Sequence, residues 1–203
     1  MPRAKQTPQS RTKDGETRRF ARKREAILDA AARLFNQKGV RGATLSAVAQ
    51  AVGLIPNSVT YYYRKKEDLA AACFMRAIEE LEALVAQAGA QSEPRRRVIA
   101  LFHGYADLLA GIARGEHAEL VTFNDLRALP PPHGDSVFAA YTDMFRHIRA
   151  LVHAPGLSRL ELNGRAQLVL SLMHSLRAIA ERFEPDDYGV AADRVIDILL
   201  DGL

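Results

Sequence analysis

The stretch TLSAVAQAVGLIPNSVTYYYRKKEDL, from Thr44 to Leu69, decides how this chain folds. Leu45, Val48, Ala49 and Val52 recur with the period of one helical face, and Thr44 stands where a hydroxyl caps a first turn. Gly53 follows the last apolar position, where a residue that tolerates positive φ ends a helix and redirects the chain. Pro56 suits the start of a second short helix, because the N–H it lacks would have no partner there. That helix is predicted to run to about Tyr62, with Val59 and Tyr63 inward. Two short helices joined by a glycine turn make a helix-turn-helix.

The outward residues of the second helix suit a duplex groove. Asn57 can bond an adenine edge, Ser58 and Thr60 several base edges, and the hydroxyls of Tyr61 and Tyr62 reach phosphate oxygens. Arg64, Lys65 and Lys66 follow where a phosphate backbone would pass. A Tyr-rich basic helix end alone is more often a solvated surface or part of a core. The conjunction of cap, glycine turn, Pro-started polar helix and cation cluster in one window is what points to DNA.

With the lead helix AILDAAARLFNQKGV (26–40), the segments GATLSAVAQAVGL (42–54) and SVTYYYRKKEDL (58–69) resemble the N-terminal domain of the tetracycline-repressor (TetR) family of bacterial transcriptional regulators. The resemblance spans about Arg24 to Leu69. It implies phosphate contacts at Thr44 and Lys66 and places Pro56, Asn57, Ser58, Thr60, Tyr61 and Tyr62 in the major groove. Ile55 stands where that family commonly has a Ser or Thr cap, Thr60 where Tyr is frequent, Tyr62 where His is frequent, and Tyr63 where Phe is usual.

Charge is concentrated beside this motif. Residues 1–24 hold nine Lys or Arg against Asp14 and Glu16, whereas residues 25–203 hold 19 against 22. The first 16 residues read as a disordered basic arm, with nucleic acid the better partner and a solubilising tail the plain alternative. From Thr17 the chain is expected to enter the first helix, whose Ala26, Ile27, Ala30, Ala31, Leu34 and Phe35 form an apolar stripe. No apolar run approaches the roughly 20 residues that span a bilayer, so no membrane partner is expected. The start has no apolar h-region, and the single cysteine, Cys73, excludes an intrachain disulfide, which points to the cytoplasm.

Beyond Leu69 only helical periods appear. Helices are expected over 66–88, 94–115, 116–126, 135–152, 163–183 and 185–200, with LPPPHGD (129–135) as a rigid loop. The expected fold is therefore all-α with about nine helices: an arm over 1–16, a helix-turn-helix domain over 17–66, and a helical effector-binding and dimerisation domain over 67–203. Leu168, Leu172, Leu176, Ile179, Val195 and Leu199 place apolar surface on more than one side of the last two helices. The resemblance implies that a twin subunit covers it.

A ligand cavity is likewise implied by the resemblance. Phe102, His103, Phe123, Asn124, Tyr141, Met144, Met173 and His174 are the soft, bulky or polar groups suited to line it, and their apolar majority favours a hydrophobic effector. Each is individually more often ordinary core. No HExxH, CxxC, Walker, GxGxxG or GxSxG pattern occurs, so no enzyme, metal or cofactor is expected. The expected function is a homodimeric repressor that binds a palindromic operator and is released by a small molecule. An activator of the same architecture, or a helical small-molecule-binding or -processing protein tethered to nucleic acid, is the alternative.

Overall fold

The computed structural model describes the backbone of residues 8–201 and the side chains of 18–199. Among these residues the chain is all-α, with no strand. The helices are α1 (Pro8–Gly42), α2 (Leu45–Ala51), α3 (Pro56–Tyr62), α4 (Lys66–Ala88), α5 (Pro94–Ala113), α6 (His133–Leu151), α7 (Arg159–Ala180) and α8 (Tyr188–Asp201). Two short 3-10 helices, Phe123–Ala128 and Pro185–Asp187, complete the set. The expected all-α fold of about nine helices is present among the described residues, with the 116–126 region carrying the 3-10 helix Phe123–Ala128 in place of an α-helix.

The chain divides into two compact units. The first comprises residues up to Cys73 together with 118–129, the second 74–117 together with 130 onward. The boundary expected at 66 therefore falls within α4, and a segment from the middle of the sequence belongs to the first unit.

In the first unit α1 starts at Pro8, so positions 8–16 are helical where a disordered arm was expected. Residues 1–7 of that arm lie outside the described residues. Gln, Arg, Lys and Glu are good helix formers and extend a helix without needing an apolar face. Ile27, Leu28, Ala31, Ala32 and Phe35 are buried. Leu28 and Ala32 thus join the stripe that was read as starting at Ala26, which is exposed. From α4, Leu69 and Cys73 are buried in the same unit, and the Cys73 thiol donates to the Leu28 carbonyl at 3.6 Å.

The 118–129 segment is held as a strap by side chains of α1. The amide of Asn36 donates to Leu120 O at 3.0 Å while its oxygen accepts from Thr122 N at 2.8 Å. Asp29 accepts from Glu119 N at 2.6 Å, and Asp125 Oδ2 accepts from Val40 N at 2.8 Å. Leu120, Val121, Leu126 and Leu129 are buried beneath these bonds. Backbone groups satisfied by α1 side chains leave a helix little to gain here. The Asp125 contact also explains Gly39, which breaks α1 at φ 70 and where a Cβ would lie 2.5 Å from Asp125 Oδ2.

In the second unit α5 packs on α7 and α8, and α6 packs on α7. Its core includes Leu101, Phe102, Val137, Met144, Ile148, Val169 and Leu176. Helix α5 ends in a Schellman motif at Gly115 (φ 75), with Glu116 N donating to Gly111 O at 2.8 Å and Gly115 N to Ile112 O at 3.0 Å. Helix α7 begins four residues before the expected Asn163, because Ser158 and Glu161 form a capping box: Glu161 N donates to Ser158 Oγ at 3.2 Å and Ser158 N to Glu161 Oε2 at 2.8 Å. The Ser158 hydroxyl, donating to Glu161 Oε2 at 2.6 Å, and next the Ser158 N–H hold the Glu161 carboxyl below its ordinary range.

Candidate nucleic-acid interface

Helix α2 is fixed at both ends. Thr44 Oγ1 accepts from Ala47 N at 3.1 Å, and Val48 and Ala49 bury its inner face. At the other end Gly53 (φ 65) forms a second Schellman motif, with Leu54 N donating to Ala49 O at 2.8 Å and Gly53 N to Gln50 O at 3.2 Å. The turn into α3 follows directly.

Helix α3 is built differently. Ile55 makes no side-chain cap, Asn57 does not replace it, and Pro56 occupies the first turn. The helix is anchored by Val59, fully buried, and by Tyr63, which leaves the helix in extended conformation and donates its N–H to Val59 O at 2.9 Å. Both inward positions are as the sequence predicts.

Around that anchor the other residues face outward. Pro56, Asn57, Thr60 and Tyr61 are exposed, and Ser58 and Tyr62 are half-buried. The Thr60 hydroxyl donates to Asn57 O at 2.9 Å, so its methyl and an oxygen lone pair remain for a groove. Lys23, Leu54, Asn57, Ser58, Tyr61 and Tyr62 line a shallow concavity of about 310 Å³ beside the helix. Lys66 is half-buried and its Nζ donates to Arg41 O at 3.1 Å, which ties the cation to the end of α1. The Asp68 carboxylate accepts from Lys65 N at 2.9 Å and closes the start of α4. Thr44, α3 and Lys66 therefore belong to one unit whose backbone is locked from both sides of the turn.

The residues singled out for a ligand cavity are divided between the two units. Phe123 and Asn124 belong to the strap of the first unit, Asn124 exposed. In the second unit Phe102, Met144 and Met173 are core, Tyr141 is half-buried with burial raising its phenol, and His174 is exposed. The His103 imidazole lies 3.2 Å from Asp193 Oδ1, an α5–α8 link at the surface. Two clefts of this unit take other residues. Pro94, Arg95, Val98, Val152, Arg165, Leu168, Val169 and Leu199 line about 390 Å³. Glu82, Val85, Ala86, Gly89, Arg97, His147, Ala150 and Leu151 line about 490 Å³. Periodicity identified these apolar faces but not where four helices leave a gap, which depends on their crossing geometry.

Of the residues expected at a twin-subunit interface, Leu176 and Val195 are buried within the unit's own core. Leu168 is exposed, and Leu172, Ile179 and Leu199 are half-buried. Val190 and Ile198 add exposed apolar surface on α8. Among the described residues no group of three or more His, Cys, Asp or Glu is placed to hold a metal, and no helix is long and apolar enough to cross a membrane.

A capped helix, a Schellman turn and a Pro-started helix with polar residues outward make a helix-turn-helix of this part of the first unit. Residues 27–73 match the family described as bacterial regulatory proteins, tetR family. The chain is similar in structure to a TetR-family transcriptional regulator from Bordetella parapertussis 12822, with TM-score 0.71 and 18% identity over 88% of this chain and 94% of that one. It is also similar to the transcriptional regulator FadR from Bacillus subtilis in complex with stearoyl-CoA, with TM-score 0.61 and 14% identity over 88% and 98% of the two chains. AibR in complex with isovaleryl coenzyme A and operator DNA gives TM-score 0.62 and 18% identity over 86% and 97%. The family match is thus confined to residues 27–73, within the first unit, and the likeness over the rest of the chain is one of fold.

Proposed function

We propose that this protein is a homodimeric transcriptional repressor, acting in the cytoplasm, that reads a palindromic operator through α3 and is released by a small acyl or otherwise largely apolar ligand. The observation that carries the reading is the arrangement of α3, with Val59 and Tyr63 buried and Asn57, Thr60 and Tyr61 exposed beside the capped α2. Thr44 and Lys66 are the phosphate contacts, and Pro56, Asn57, Ser58, Thr60, Tyr61 and Tyr62 meet the bases and adjoining backbone. A two-fold dimer sets two such helices roughly 34 to 36 Å apart, one turn of B-DNA. The exposed apolar residues of α7 and α8, Leu160, Leu168, Val190 and Ile198, support pairing of these helices between subunits.

The ligand class is supported by two neighbours of the same fold, one solved with stearoyl-CoA and one with isovaleryl coenzyme A. The 390 Å³ cleft of the second unit has the size of a ligand site, an apolar floor, and Arg95 and Arg165 in its lining. A ligand loosens DNA binding only by as much as it prefers the non-binding conformer.

Selection of fragments bound by the purified protein from genomic DNA tests the proposal. A recovered palindrome bound far more tightly than its scrambled version, with steep salt dependence and two subunits per duplex, is the expected result. Equal affinity for scrambled DNA would overturn it. Acyl-coenzyme A compounds added to the recovered complex then test the effector.

A further inference from the structure

Helix α3 has a second support that none of the phosphate or base contacts requires. Phe20 of α1 lies near the end of α3, its ring 4.7 Å from that of Tyr62 at 32° and 6.0 Å from that of Tyr61 at 82°. Tyr61 and Tyr62 meet edge to face at 5.3 Å and 89°. One turn further along α1, the Arg24 guanidinium sits 5.7 Å from the centre of the Tyr63 ring. Positions four apart share a helix face. A single face of α1 thus grips three consecutive tyrosines.

The grip falls where α3 is weakest. The helix has seven residues and no side-chain cap, and its last turn has lost the chain to the extended Tyr63. Tyr61 is 75% exposed, so no packed core fixes its χ angles. An exposed Tyr without neighbours samples several rotamers, and only some of them present its hydroxyl to a groove. Phe20 is itself 41% exposed, an apolar ring kept at the surface. Its edge-to-face and tilted contacts are the geometries that aromatic rings favour.

We propose that Phe20 is a positioning residue for operator discrimination: it holds Tyr61 and Tyr62 in the conformers that read DNA without reading DNA itself. This rests on α3 being the reading helix. A residue that preorganises the reading side chains strengthens binding to the operator and leaves sequence-independent phosphate attraction unchanged. Arg24, whose charge also attracts phosphate, mixes the two effects, so Phe20 is the informative site.

The test compares wild type, Phe20→Leu and Phe20→Tyr in the full-length protein. Each is titrated against the selected operator and a scrambled duplex of equal length, with melting temperature and Tyr ring NMR shifts recorded on the free protein. Phe20→Leu keeps apolar bulk but removes the ring. It is expected to weaken operator binding about tenfold, within the range for loss of two ring contacts, with scrambled-duplex affinity within about twofold and a cooperative melting transition retained. The Tyr61 ring signals shift as the ring current of Phe20 is lost. Phe20→Tyr keeps the ring and restores discrimination. Equal losses on both duplexes, no loss on either, or unmoved Tyr61 signals would each overturn the inference while leaving α3 as the reader. Wild type that prefers no duplex would instead remove the DNA reading, and this inference with it.

Discussion

The two compact units keep their helices in place by different means. In the first, α2 and α3 have seven residues each, too short to persist alone, and depend on point fixtures: the Thr44 cap, the Gly53 Schellman turn, the Val59 anchor and the Asp125 carboxylate on Val40. In the second, α5, α6 and α7 have 20, 19 and 22 residues and share a continuous apolar core. Short helices held at points leave most of their side chains free for a partner. Long helices packed along their length spend their apolar side chains chiefly on each other.

The contrast can be broken most sharply at the anchors. Phe102→Ala in the second unit should cost about 3–5 kcal/mol and Val59→Ala in the first about 2 kcal/mol, both read from denaturant midpoints. The smaller loss should have the larger consequence, since Val59→Ala releases α3 and abolishes operator binding. If Val59→Ala binds the operator at full strength while folded, α3 does not depend on a single anchor.

Asp125→Ala comes next. It leaves the Val40 N–H without its acceptor and should cost about 1–3 kcal/mol. Hydrogen exchange at Val40 and in the strap should accelerate while α5–α8 amides keep their protection. Asp125→Asn, which retains an acceptor oxygen, should recover most of the loss.

Thr44→Ala removes the α2 cap at about 1 kcal/mol. Because the same hydroxyl is proposed to meet phosphate, operator and scrambled duplex should weaken together. Selective loss on the operator would place Thr44 among the reading residues instead.

The smallest effect belongs to the α7 capping box. Glu161 titrates below its ordinary range because Ser158 bonds the carboxylate, so its contribution is complete above the unfolded-state value and is lost as pH falls through the folded one. From about pH 4.3 downward, wild type should lose stability more steeply than Glu161→Gln. Parallel acid-unfolding curves would show that the box adds nothing to the second unit.

Which parts of the structure were legible in the sequence follows from this division. Fixtures made by neighbours in sequence, such as Thr44, Gly53, Pro56, Val59 and Tyr63, were readable because cap, turn and period are local patterns. Ser158 and Glu161 were local too, and the S-x-x-E spacing would have placed the start of α7 correctly. The strap was not legible: its helix-compatible sequence is overruled by Asn36 and Asp29, more than 80 positions away. Separating Leu176 and Val195 from Leu168 required knowing which stripe of α7 and α8 faces α5, and both stripes are apolar. The role of Phe20 was hidden for a similar reason, since nothing near it in sequence marks it as a neighbour of Tyr61.

The lone thiol of the chain offers a clock. Cys73 is 1% exposed and its sulfur rests against the Leu28 carbonyl, so a soluble thiol reagent reaches it only when α1 parts from α4. With no second cysteine to share the signal, the rate of native-state modification counts those openings. Bound operator or bound effector can then be ranked by how far each slows or quickens that count, without any label being introduced.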